Sequence, residues 1–81
     1  MKANERDSRT EQERFIDRML KEILGGQRNP GDRLPTESEL AAQYDLRKTN
    51  VHLALKELER LGFLEIVPRH ATYVAPNRER A

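Results

Sequence analysis

The segment from Arg47 to His52 carries the residue types in this sequence that are best suited to binding chemistry. It reads Arg-Lys-Thr-Asn-Val-His and opens a stretch predicted to be helical. Cations in the first turn of a helix oppose the helix macrodipole by about 0.3–1 kcal/mol each, so helix formation alone does not favour Arg47 and Lys48 there. A polyanion favours both, because phosphates bind cations and the free N–H groups of a helix N-terminus.

Two side chains of this segment have hydrogen-bonding groups that match base edges. Asn50 can pair bidentately with N6 and N7 of adenine, and Lys48 can donate to O6 and N7 of guanine. Arg47 precedes the first full turn, where side chains more readily meet backbone phosphates. The alternative is a solvated polar face that binds nothing. The absence of any acidic residue between Leu46 and Lys56 favours nucleic-acid binding.

Polar residues elsewhere extend the predicted contact surface. Arg69 and His70 lie at a predicted hairpin tip and are expected to meet the DNA backbone or minor groove, although polar residues are also common in tight loops. Helix capping alone explains Thr36, yet its hydroxyl or the freed N–H groups beside it could contact phosphate. The predicted DNA-contact set is Thr36, Ser38, Arg47, Lys48, Thr49, Asn50, His52, Lys56, Arg69 and His70.

Catalytic and metal-binding patterns are missing from the sequence. There is no cysteine, and the two histidines, His52 and His70, fall on different predicted elements without acidic partners at ligand spacing. Glu57 and Glu59 lie about 200° apart on a helix and cannot act as an acid–base pair. No glycine-rich phosphate loop or nucleophile elbow occurs. We therefore expect no enzyme activity, no metal and no cofactor.

Length and composition indicate one small domain. The chain has 81 residues, of which 36% are hydrophobic and 36% are charged, so it lies near the lower limit for a self-sufficient core. No apolar stretch approaches the roughly 20 residues of a membrane span. The N-terminal residues lack the apolar segment of a secretory signal, so the expected location is the cytoplasm.

A first helix and a short strand are predicted in the N-terminal half. The helix begins at Thr10, where Thr10 and Glu13 fit a capping box, and it ends at Gly25. Its apolar residues recur at helical spacing. They are Phe15, Ile16, Met19, Leu20, Ile23 and Leu24. Arg33-Leu34 is expected to form a very short edge strand that buries Leu34.

A second helix and a tight turn lead into the polar segment described above. The capping-box pattern of Thr36 and Glu39 predicts a helix through about Tyr44. Asp45 tolerates the left-handed conformation that such a turn often needs, and Leu46 is its apolar plug. Tyr44 and Tyr73 are expected to pack at the edge of the core rather than to stack on bases.

A third helix and a hairpin complete the order of elements. The helix begins near Arg47 and ends at Gly62, and its predicted core stripe is Val51, Ala54, Leu55, Leu58 and Leu61. Leu53 lies about 200° from Val51, so we expect it to be partly exposed. Strands at 63–67 and 72–74 flank a four-residue basic tip, 68–71.

The resulting fold class is α+β, mainly α, with three helices, a short strand and a C-terminal β-hairpin. This order predicts a winged helix-turn-helix over residues 10–75. Residues 1–9 are expected to form a disordered tail, and residues 76–81 a linker or C-terminal tail.

Several motifs resemble the N-terminal DNA-binding domain of GntR-type bacterial transcription regulators over about residues 12–75. The motifs are Gly31-Asp32-Arg33-Leu34-Pro35-Thr36-Glu37, Ser38-Glu39-Leu40-Ala41, Lys48-Thr49-Asn50-Val51, Ala54-Leu55, Leu58, Gly62-Phe63-Leu64 and Thr72-Tyr73-Val74. The resemblance implies that the third helix enters the major groove as one half of a homodimer on a pseudo-palindromic operator. It also implies a separate effector-binding and dimerising domain, so this chain is expected to be either an excised domain, which could be monomeric, or a stand-alone regulator.

The sequence also departs from this family at the expected DNA-contact positions. Arginine is usual where this chain has Ser38, Lys48 and His52, and serine is usual at Arg47. The tip 69–71 replaces a Gly-x-Gly wing, which predicts a stiffer or differently shaped tip.

The predicted function is sequence-specific binding of double-stranded DNA by a bacterial transcription regulator, repression being favoured by the resemblance alone. One alternative is a winged helix that binds an acidic protein through its third helix. A second is RNA binding, against which the aromatic content of 5% argues, because RNA readers use aromatic stacking surfaces.

Overall fold

The computed structural model describes residues 8–76 of the chain. Three helices are followed by a two-stranded antiparallel sheet, which confirms the predicted winged helix-turn-helix. The elements are α1 (Ser8–Leu24), α2 (Glu37–Tyr44), α3 (Lys48–Arg60), β1 (Leu64–Val67) and β2 (Ala71–Val74).

Helix α1 begins two residues before the predicted start. Ser8 and Arg9 are helical, so they do not belong to the predicted tail, and Thr10 lies inside the helix rather than at its cap. Arg9 and Glu13 pair at 4.0 Å across one turn, a spacing that supports the extra residues. The remainder of the predicted tail at 1–7 and residues 77–81 of the predicted C-terminal segment lie outside the described residues.

The core forms around α3, which packs against α1, α2 and β1. Its buried side chains are Phe15, Met19, Ile23, Leu34, Leu40, Val51, Ala54, Leu55, Leu58, Leu64 and Val74. Leu61 was predicted to join them, but it is 46% exposed. The reason is geometric, because Leu61 lies about 80° around the helix from Val51 and reaches only the edge of the buried face. Leu53 is 45% exposed, as its angular position predicts.

The predicted turn and capping devices are present at both ends of α2. Thr36 accepts a hydrogen bond from the Glu39 backbone N–H, and the Glu39 carboxylate accepts one from the Thr36 N–H. At the other end Asp45 is left-handed, with φ of 57°. Leu46 is half-buried against the core. These features fix the angle between α2 and α3.

The segment between α1 and α2 is tied to the hairpin and to α1. Arg33 forms a bridge with Tyr73, and the Leu34 N–H donates to the Thr72 carbonyl at 2.8 Å, which confirms the predicted short strand contact. The Arg28 guanidinium donates to Glu22 at 2.7 Å. Burial opposes the charge of Arg28, but hydrogen bonds with Glu22 and Tyr44 outweigh that effect and raise its pKa.

Tyr44 packs at the edge of the core, as its position predicts. Its ring meets Phe15 edge-on at 5.2 Å between centroids, and its hydroxyl donates to the Glu22 carboxylate at 3.0 Å. The apolar ring is thus covered while its polar group is bonded.

Candidate nucleic-acid interface

The N-terminal part of α3 presents a basic, exposed face. Arg47 is the N-cap residue, and its side chain makes no capping hydrogen bond. Lys48, Thr49 and His52 follow on the exposed side of the helix, and Lys56 continues the same surface one turn later. No acidic residue lies in the first turn. This end of α3 therefore places exposed cations at a helix N-terminus, the end that attracts anions.

Asn50 does not lie on this face. It is 3% exposed, its amide nitrogen donates to Glu11 Oε1 at 2.7 Å, and its oxygen accepts from Gln12 at 3.1 Å. Both of its hydrogen-bonding groups point into the contact between α1 and α3. The prediction that Asn50 pairs with adenine is therefore wrong for this structure, because a buried and bonded amide cannot reach a base edge.

Glu11 is the residue that sequence reasoning missed at this site. Its carboxylate is buried, accepts from the Arg47 backbone N–H at 3.5 Å, and lies 3.9 Å from the Arg47 guanidinium. Because Arg47 has no capping side chain, Glu11 supplies an anionic acceptor at the start of α3 from another helix. A sequence signal existed, because Glu11 precedes Phe15, Met19 and Ile23 at a spacing of four on the buried face of α1.

His52 is held by α2. Its Nδ1 lies 2.7 Å from the Glu37 carboxylate, and its side chain is 51% exposed. The contact links the first residue of α2 to the exposed face of α3, so the imidazole has a fixed direction before any ligand binds. Ser38 is exposed beside it in the first turn of α2, and the Thr36 hydroxyl is occupied as a helix cap.

The hairpin tip is shorter than predicted. Ala71 pairs with Val67 in the sheet, so the loop contains Pro68, Arg69 and His70. Arg69 has φ of 65°, a left-handed conformation that glycine adopts without strain. The tip thus keeps a backbone shape typical of a glycine wing while presenting a cation and an imidazole to solvent.

A groove of about 470 Å³ runs between α3 and the hairpin. It brings together the predicted residues Thr36, His52, Lys56, Arg69 and His70, and it adds Arg33, which was not predicted. Lys48, Thr49 and Ser38 lie outside the groove lining, on the exposed starts of α3 and α2. Most of the predicted surface is therefore divided between the N-terminal face of α3 and this groove.

Not every cation of α3 is available to a ligand. Arg60 donates two hydrogen bonds to Glu57, at 2.7 and 3.1 Å. These bonds lower the pKa of the Glu57 carboxyl and raise that of Arg60. Among residues 8–76 no group of three or more His, Cys, Asp or Glu residues could hold a metal ion. Over the same residues no helix is long and apolar enough to cross a membrane.

The sequence pattern of the bacterial regulatory proteins of the gntR family matches residues 11–74. The chain belongs to the GntR family. That assignment confirms the resemblance carried by the Leu34-Pro35-Thr36-Glu37 region and the expected class, the DNA-binding domain of a bacterial regulator.

Relatives of this GntR domain are named as repressors. The chain is 37% identical to the mannosyl-D-glycerate transport/metabolism system repressor MngR of Escherichia coli, covering 79% of this chain and 27% of that protein. It is 38% identical to the transcriptional repressor YtrA of Bacillus subtilis, covering 80% of this chain and 50% of that protein. The chain thus spans about a quarter to a half of the length of these relatives.

Solved GntR structures share the fold. A GntR-family transcriptional regulator from Listeria monocytogenes aligns with a TM-score of 0.81 and 25% identity over 85% of this chain and 60% of that chain. The Streptococcus agalactiae GntR protein aligns with a TM-score of 0.73 and 30% identity over 83% of this chain and 33% of that chain.

Proposed function

We propose that this GntR domain binds double-stranded DNA sequence-specifically, with α3 in the major groove and the hairpin on the flanking backbone or minor groove. The observation that carries the proposal is the exposed N-terminal face of α3, which has Lys48 and no acidic residue in its first turn. Lys48 has no ion-pair partner among the described residues. Such a face favours a polyanion, since phosphate supplies negative charge on the exposed side of a helix whose own first turn has no acidic residue.

The proposal extends to the role of the protein in transcription and to its assembly on DNA. Because the relatives are named as repressors, we infer that the protein represses transcription in the cytoplasm. We propose a homodimer on a pseudo-palindromic operator, with each winged helix on one half-site. An effector would require a domain beyond the winged helix, and several relatives are two to six times longer than the matched region.

The test separates base reading from backbone contact within α3. A preferred site is first selected from a random duplex pool, and the affinities of Lys48→Ala and Arg47→Ala are then measured on selected and random duplex. We expect Lys48→Ala to cost about 1–3 kcal/mol on the selected site alone, because a base contact carries sequence information. Arg47→Ala should weaken binding to both duplexes equally, because a phosphate contact carries no sequence information.

The same measurement can reject the proposal. Wild-type protein that binds single-stranded RNA or nothing, but no duplex, would exclude the DNA-binding function. Equal losses on both duplexes for Lys48→Ala would exclude base reading by Lys48 and the docking of α3 through its N-terminal face. Circular dichroism melting of each variant is the control for folding.

A further inference from the structure

Arg33 occupies a rigid position at the edge of the groove. Its backbone bridges Tyr73, and the flanking residues are bonded to the same strand, the Leu34 N–H to Thr72 and the Val74 N–H to the Asp32 carbonyl, each at 2.8 Å. The two hydrogen bonds that form this bridge flank one exposed arginine and fix the point from which its side chain extends. Little backbone entropy is lost when this arginine binds a ligand.

The charge of Arg33 is not neutralised within the described part of the chain. It has no ion-pair partner there. The acids nearest in sequence are engaged elsewhere, because the Asp32 carboxylate accepts from the Asn29 N–H at 2.8 Å and Glu37 holds His52. An exposed guanidinium with five donors and no acceptor is well suited to a phosphate.

The groove beside Arg33 has a strongly basic lining. Lys56 and Arg69 line it together with Arg33, and Glu37 is its single acidic residue. Lys56 comes from α3, Arg69 from the hairpin tip and Arg33 from the bridge segment, so cations stand on separate elements around the groove. Lys56 meets Glu59 only at 3.9 Å, and Arg69 has no ion-pair partner among residues 8–76.

We propose that this groove holds one strand of the DNA backbone and that Arg33 contacts a phosphate there. The inference rests on the proposed function, because a helix in the major groove and a wing beyond it leave a backbone strand between them. Arg33, Lys56 and Arg69 then neutralise phosphates along that strand. They position the protein without reading bases.

The experiment compares Arg33→Ala with Lys21→Ala. Both variants remove one positive charge, but Lys21 lies in the last turn of α1, paired with Asp17 at 3.2 Å and outside the groove. Affinities for selected and random duplex are measured from 50 to 200 mM salt. Loss of one phosphate contact lowers the magnitude of the log–log salt slope by about 0.9. The ratio of wild-type affinity to Arg33→Ala affinity should therefore fall about 3.5-fold across this range of salt.

The expected result is an equal loss on both duplexes and a reduced slope for Arg33→Ala, with Lys21→Ala close to wild type. Arg33→Lys should keep most of the slope because it keeps the charge. If Arg33→Ala has a lowered melting temperature, Arg33→Gln replaces it in the comparison with Lys21→Ala, because glutamine retains part of the aliphatic stem without the charge. If Arg33→Ala and Lys21→Ala had the same salt slope while Lys48→Ala still lost affinity for the selected site, the Arg33 contact would be overturned. The proposed function would stand in that case. A wild-type chain that binds no duplex would overturn the proposed function as well.

Discussion

At the scale of single residues, the chemistry of a side chain depends on whether water or another element surrounds it. Asn50 and Lys48 are both polar residues near the start of α3, yet Asn50 is buried against Glu11 and Gln12 while Lys48 is exposed. The same amide that could read adenine in a groove instead joins two helices. Lys48 is left as the candidate base reader of this turn.

The first prediction concerns the stability contributed by Asn50. Asn50→Ala should lower the free energy of unfolding by about 1–3 kcal/mol, because it removes a hydrogen bond to the buried carboxylate of Glu11. Urea unfolding measures the change, and Thr49→Ala is the exposed neighbour that should shift it by less than about 0.5 kcal/mol. If the two variants unfolded at the same urea concentration, the buried network would contribute nothing to stability.

At the scale of elements, two non-glycine residues hold the left-handed conformation at sharp turns. Asp45 joins α2 to α3, and Arg69 forms the hairpin tip. Aspartate tolerates this conformation comparatively well, whereas an arginine at φ of 65° is less usual. The turn that sets the angle of α3 and the tip that extends the hairpin therefore use different residue types for the same backbone shape.

The second prediction separates shape from charge at Arg69. Arg69→Gly should leave stability within about 1 kcal/mol of wild type or raise it, because glycine adopts positive φ without strain. Arg69→Val should lower the melting temperature, since a β-branched residue at positive φ is strained. Both variants should lose similar affinity for duplex DNA because both lose the cation. Wild-type affinity in Arg69→Gly would show that this cation does not touch DNA.

At the scale of the whole molecule, charge placement matters more than net charge. The chain carries 15 basic and 14 acidic residues, for a formal charge of +1. Many of its acids are engaged with cations away from the proposed interface, as in Lys21 with Asp17, Arg28 with Glu22 and Arg60 with Glu57. A nearly neutral protein can therefore still present a basic surface to DNA.

The third prediction is a strong salt dependence of duplex binding. If Arg47, Lys56 and Arg69 each neutralise one phosphate, the log–log slope per domain should be about −2.7, and the contribution of Arg33 would bring it to about −3.6. Titrations of random duplex over a range of salt concentrations measure this slope. Affinity that does not change with salt would contradict an interface built on phosphate contacts.

The fourth prediction concerns two domains on one operator. Leu53 is a large apolar side chain on the exposed side of α3, and we expect it to contact a second copy on adjacent half-sites. Leu53→Gln should weaken cooperative binding to a two-site duplex while the half-site affinity and melting temperature stay close to wild type. Equal losses on one-site and two-site duplexes would reject this contact, leaving Leu53 as an ordinary exposed leucine.

The sequence alone determined the order of elements, the capping of α2, the left-handed Asp45 and the basic start of α3. These features depend on spacing and on contacts within a few residues, so they are readable from a linear pattern. The tertiary structure decided the burial of Asn50, the role of Glu11 and the entry of Arg33 into the groove. Asn50 and Glu11 are 39 residues apart, and although apolar spacing marks the buried face of each helix, it does not record that these two faces pack against each other. Packing between distant elements settles whether a polar side chain stays in water or becomes part of the core.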